Sequence, residues 1–145
     1  MSTALCQLST EINASPERVW KIITEPALMK AWMGEPELDL QIQTNWQVGQ
    51  PIVIRGFHHV SFENKGVVLA FEPKHLLRYS HLSSISRLAD KLENYSIIEF
   101  SLEPRGRETM LTISLSNFPT NAIFKHLEFY WRNTMSVIKQ VAEAG

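Results

Sequence analysis

A single cysteine, Cys6, stands in a chain of 145 residues. An internal disulfide and a cysteine-built zinc site are therefore both excluded. Glycine is scarce too, at six residues, and these form neither a phosphate-cradling loop nor a Gly-x-Ser-x-Gly nucleophile elbow. No sign of charge dominates. Fourteen Lys and Arg stand against 15 Asp and Glu, a formal net charge of −1. That leaves no electrostatic footprint for nucleic acid and no polybasic membrane patch. No apolar run approaches the roughly 20 residues of a membrane span. Residues 1–10 carry no Lys or Arg and no apolar core, so they do not read as a signal peptide. A soluble cytoplasmic protein is expected, without metal or cofactor.

What is present is core-forming material. Hydrophobic residues make up 44% of the chain, including seven Phe, four Trp and three Tyr, which argues against disorder. At this length about two-thirds of the surface can be buried, enough for one self-supporting domain over residues 1–145. Ala4, Cys6, Leu8, Thr10 and Ile12 share one parity and predict a first strand. Ser15-Pro16-Glu17 supplies an N-cap, a first-position proline and an acidic first turn. A short helix with Val19, Ile22 and Ile23 on one side follows. Thr24-Glu25-Pro26 ends it and begins a second helix, with Leu28 and Trp32 on one face, stopped by Gly34 and Pro36.

From Glu37 to Phe118 the period falls to two. Strands are predicted at Glu37 to Gln43, Ile52 to Phe57 with a continuation through His58 to Phe62, Val67 to Phe71, Leu76 to Leu82, Tyr95 to Leu102 and Thr109 to Leu115. Gly49-Gln50-Pro51, Glu63-Asn64-Lys65-Gly66 and Pro104-Arg105-Gly106-Arg107 read as turns. Ser83 to Glu93 reads as an extended connection. In the last segment, Thr120 to Ala144, Phe124, Leu127, Trp131, Met135 and Ile138 step by three and four, the period of one helix face. Together these elements predict an α+β domain: a curved antiparallel sheet of about seven strands around a long C-terminal helix, with two short helices after the first strand.

The chemistry-bearing residues are sparse. His58 and His59 are adjacent on a predicted strand, so they point to opposite faces and cannot chelate one ion together. No other spacing suits a metal. Glu35, Glu37 and Asp39 read as a solvated strand face, and Glu99 also reads outward. No catalytic residue is assigned. Cys6 reads as a small buried hydrophobe. Aromatic residues offer the better lead, because ligand sites are mostly apolar with a few polar tips. Trp32, Trp46, Tyr79, Phe124, Leu127, Trp131 and Met135 are the expected walls of a space between sheet and helix. His81 shares parity with Leu77 and Tyr79, and its imidazole could hold a ligand carbonyl or act as a base. Plain core packing is the simpler fate for each. Phe129 breaks the helix stripe. It lies about 140° around from Phe124, near Lys125 and Arg132, and so faces outward, where it suits a weak homodimer.

The order of these motifs resembles the helix-grip proteins of the START/SRPBCC type, and within them the Hsp-ninety ATPase activator homologue-like family. The stretch from Ile12 to Trp20 (INASPERVW) carries most of the likeness. Thr24-Glu25-Pro26-Ala27-Leu28, Trp32, Lys65-Gly66-Val67-Val68, Glu72-Pro73, the run from Leu77 to His81 and Trp131 add to it. The resemblance spans nearly the whole chain. It implies the helix-grip fold and a cavity that takes an apolar or amphipathic small molecule. Binding or sequestration is the leading expectation. A cyclase- or dehydratase-like enzyme on a polyketide-type substrate is the alternative, with a co-chaperone or protein-interaction module as a third. Of the eukaryotic co-chaperone, the chain matches only the domain that names the family, so ATPase activation is not implied.

Overall fold

A computed structural model describes residues 2–144. The chain runs β1 (Ser2–Ile12), α1 (Pro16–Thr24), α2 (Pro26–Met33), β2 (Gln41–Thr44), β3 (Pro51–His58), β4 (Val60–Glu72), β5 (Leu76–Ser83), β6 (Ser96–Arg105), β7 (Glu108–Phe118) and α3 (Asn121–Ala144). All seven strands form one antiparallel sheet in the order β1-β7-β6-β5-β4-β3-β2. The predicted helix-grip architecture is the observed one. No helix among the described residues is long and apolar enough to cross a membrane.

Local chemistry explains most boundaries. Ser15 Oγ accepts the Arg18 N–H at the start of α1, and Pro16 occupies its first turn. The Glu25 N–H closes α1 on the Lys21 carbonyl, and Pro26 opens α2 directly. Gly106 takes the positive φ that the tight β6–β7 reversal requires. Thr120 Oγ1 accepts the Ile123 N–H and caps α3.

Four predicted features are corrected. Glu63-Asn64-Lys65-Gly66 is no turn but the middle of β4, with Asn64 opposite Ile54 and Gly66 opposite Ile52. The chain reverses earlier, at His59, where φ is +66°. Turn-type residues lie mid-strand here because Gly66 answers a close approach. A Cβ at this position would sit 1.7 Å from the Ser80 carbonyl oxygen of the neighbouring strand. His58 and His59 therefore flank a reversal rather than opposite faces of one strand, and their rings lie 4.6 Å apart. Glu35, Glu37 and Asp39 do not line a strand face either. Pro36–Leu38 is one 3-10 turn and Asp39 is left-handed, so β2 begins only at Gln41. The connection after β5 is not extended. It holds two 3-10 turns, Ser84–Ser86 and Leu92–Asn94. Asp90 ties it back through Lys65 Nζ at 2.6 Å and the Tyr95 hydroxyl at 2.6 Å.

The core lies between the concave sheet face and α3. Leu127, Trp131, Met135 and Ile138 are buried, facing Ile98, Phe100, Leu111, Ile113 and Leu115 in one cluster. Trp131 packs edge-on against Phe100, with ring centroids 5.4 Å apart. Trp131→Ala is expected to cost about 3–5 kcal/mol in urea unfolding, as for an emptied core aromatic. A loss below about 1 kcal/mol would mean that α3 does not dock by this face.

Candidate functional site

The far end of α3 is fastened and the near end is not. Arg18 Nε donates to the Ala142 carbonyl at 2.6 Å, and its Nη2 to the Val141 carbonyl at 3.2 Å. These carbonyls belong to the last turn, where no intrahelical donor remains. Lys139 Nζ donates to the Glu11 carbonyl, and the Asn13 N–H donates to the Glu143 carboxylate. That N–H and Lys139 hold the Glu143 carboxyl below its usual range. Tyr130 makes the last such tie towards the N-terminus, apart from a 3.9 Å contact between Cys6 and Glu128. Among the described residues, the side chains of 121–127 make no hydrogen bond to another element. Phe124 rests on Phe118 by ring contact alone, at 4.8 Å.

Beneath α3 the predicted wall residues meet. Ring contacts run from Trp46 to Tyr79 (6.3 Å), Tyr79 to Phe100 (6.4 Å), Phe100 to Trp131 (5.4 Å) and Trp131 to Trp32 (6.1 Å). Leu127 and Met135 are buried in the same cluster, with Phe124 and Trp46 packed at its margin. Side chains thus occupy the volume where an open pocket was expected. A shallow hollow of about 220 Å³ lies elsewhere, beside edge strand β2, lined by Leu38, Asp39, Gln41, Arg55, Gly56 and Phe57.

Two of the three tryptophans expected to wall the space have their indole N–H groups already engaged. Trp32 Nε1 donates to the Ile22 carbonyl at 2.9 Å, and Trp46 Nε1 to the Thr24 carbonyl at 2.6 Å. Both acceptors are in the last turn of α1, which lacks intrahelical donors. These tryptophans cap a helix as well as fill the core.

Tyr79 and His81 differ. Both point inward from β5, opposite Ile98 and Ser96 of β6. Neither side chain has a hydrogen-bond partner among the described residues. Every fully sealed side-chain polar atom does have one, so the Tyr79 hydroxyl and the His81 nitrogens touch solvent. Burial raises the Tyr79 phenol well above its usual range, with a smaller contribution from Tyr130. Burial, and then His126 on α3, pushes the His81 imidazole down to about 4. His81 is therefore neutral near pH 7.

Several contributors escaped the sequence reading. Phe100 links Tyr79 to Trp131, and its parity with Ile98 and Leu102 could have marked it. The Tyr130 hydroxyl donates to the Met33 carbonyl at 2.5 Å and ties α3 to α2. Its place beside the stripe gave no local signal. His126 and Ser96 reach the His81 region only through tertiary packing. No group of three His, Cys, Asp or Glu among the described residues is arranged for a metal.

A family model described as "Activator of Hsp90 ATPase homolog 1-like protein" matches residues 13–143. The chain belongs to this family. No curated protein matches it. A Cytophaga hutchinsonii protein solved in solution is 27% identical, with a TM-score of 0.81 over 99% of this chain and 97% of its own. A Chromobacterium violaceum protein of known crystal structure is 18% identical, with a TM-score of 0.81 over 96% of both chains. The solution structure of an Aha1 dimer from Colwellia psychrerythraea is 20% identical, with a TM-score of 0.75 over 97% of this chain and 96% of its own.

In this Hsp90-activator-like chain the half-buried His81 predicts a pH dependence. The folded state holds the imidazole below its unfolded pKa, so unfolding takes up a proton. Stability is complete above the unfolded value near 6.5 and falls as pH drops towards 4. Between about pH 7 and pH 5 the expected loss is about 1–2 kcal/mol. His81→Phe should remove that loss, read as urea midpoints across the same window. An unchanged slope would show that His81 titrates normally.

Proposed function

We propose that the protein binds an apolar or amphipathic small molecule between the inner face of the sheet and α3. Trp32, Tyr79, His81, Phe124, Leu127, Trp131 and Met135 form the walls, with Trp46 at the far margin. The observation that carries this reading is the one-sided fastening of α3. Its last turn is held to β1 and α1 by Arg18, Lys139 and Glu143, whereas residues 121–127 rest on ring and aliphatic contacts. A ligand can enter by lifting residues 121–127 while the rest of the helix stays seated. Apolar side chains then exchange one apolar neighbour for another, which costs little against water exclusion.

The cyclase- or dehydratase-like alternative needs His81 as base and Tyr79 as acid. General acid–base catalysis works best with a pKa near the operating pH. An imidazole pushed down to about 4 is a weak base at neutrality, and a phenol pushed up is a weak acid. The same two groups serve well as neutral hydrogen-bonding tips, so binding is favoured over catalysis.

Nile red, a neutral apolar dye, provides the test. Saturable one-to-one binding is expected, with a change in tryptophan emission because Trp32 and Trp131 line the site. Native mass spectrometry should show a small molecule on the purified protein or on protein incubated with the dye. Absence of saturable binding by both measurements would overturn the reading.

Phe129 supports a second, independent proposal, a weak homodimer. Its side chain is 72% exposed on the outer side of α3, beside the Glu128–Arg132 pair. The Colwellia relative is described as a dimer. Burying one Phe is worth about 1.5–3 kcal/mol, so two symmetric copies offset only part of the cost of association and pairing should be micromolar. Sedimentation should show dimers at high concentration that Phe129→Ser abolishes. A strictly monomeric protein, or a dimer untouched by Phe129→Ser, would remove this residue from the interface.

A further inference from the structure

The inner wall has a chemical bias of its own. Among the described residues the buried polar residues are serines and threonines, and no Lys, Arg, Asp or Glu is buried. Several of the hydroxyls are already matched. Thr24 donates to the Trp20 carbonyl, Thr109 donates to the Ala14 carbonyl, and Ser80 accepts the Val67 N–H. Two groups on neighbouring inward positions of β5 remain without partners, the Tyr79 hydroxyl and the His81 imidazole. Tyr79 is only 2% exposed. An unmatched hydroxyl on so buried a residue is costly unless something meets it. Both groups touch solvent, so the space beside them admits at least a water-sized polar partner.

We infer that the polar end of the ligand is an uncharged hydrogen-bonding group, a hydroxyl or a carbonyl, received by Tyr79 and His81 together. The inference rests on the small-molecule reading above and narrows it. A phenol donates and accepts, and a neutral imidazole does the same through its two nitrogens. This pair can therefore satisfy an alcohol or a ketone. An anionic end would find no buried Lys or Arg among the described residues to meet it, and an ammonium end no buried Asp or Glu. His81 supplies no positive charge at neutral pH, because burial and His126 hold it deprotonated. His126, on α3, is the titratable group that acts on it electrostatically.

Displacement of Nile red at neutral pH by molecules of one chain length tests this: decanol, 2-decanone, decanoate, decylammonium and 1-chlorodecane. Decanol and 2-decanone should displace the dye at least about tenfold more tightly than decanoate or decylammonium, the scale of one buried group left unmatched. Tyr79→Phe and His81→Phe should each reduce the advantage of decanol over 1-chlorodecane while leaving 1-chlorodecane unchanged. A merely structural role would weaken both alike. His81→Lys should raise the affinity for decanoate. If decanoate binds the native protein as tightly as decanol, the inference falls and the binding reading stands. If Nile red binds and both Phe variants keep the full preference for decanol, these two residues are not the receivers and the inference falls. If neither the dye nor any decyl compound binds, the small-molecule reading fails and takes this inference with it.

Discussion

The fold depends on one contact, the seating of the apolar stripe of α3 in the concave face of the sheet. Leu127, Trp131, Met135 and Ile138 all belong to it, and Trp131 is its centre, meeting Phe100 below, Trp32 to one side and Tyr130 beside it. Without α3 the inner face of β5, β6 and β7 would lie open. Ile98, Phe100, Leu111, Ile113 and Leu115 would return to water. The same contact bears on the proposed function, because any ligand held between sheet and helix competes for the surface that holds the fold together.

A second constraint organises the ends of the helices. Helix termini leave carbonyls without donors, and this protein answers with side chains from other elements. Trp32 and Trp46 serve the last turn of α1, while Arg18 of α1 serves the last turn of α3. The caps interlock α1, α2 and α3 at one end of the grip. No comparable set of side-chain hydrogen bonds holds residues 121–127 among those described. Anchoring at one end and simple packing at the other is what a fold needs if it is to open without unfolding.

Where the sequence reading succeeded, the signal was local and periodic. The α3 stripe, the Ser15-Pro16 cap, the Gly106 hairpin and the inward parity of Leu77, Tyr79 and His81 each follow from neighbours a few residues apart. Where it failed, a distant strand or helix supplied the reason. Gly66 resembles a turn residue, but it is required by the Ser80 carbonyl on β5. The engagement of the Trp32 and Trp46 N–H groups by carbonyls of α1 likewise has no local signal.

By itself the sequence determined the class of fold, the inner and outer faces of most strands, the docking face of the last helix and the outward aim of Phe129. All of these are consequences of hydrophobic period and of turn and cap chemistry, which act over a few residues. Only the tertiary structure decided which polar groups stay unmatched. Whether a hydroxyl or an imidazole is satisfied depends on which atom of another element lies within about 3 Å, and nothing in the local pattern encodes that distance. Tyr79 and His81 carry the same parity signal as Leu77. Under α3, with His126 and Tyr130 near them, Tyr79 is buried and His81 half-buried, and neither side chain has a protein hydrogen-bond partner among the described residues.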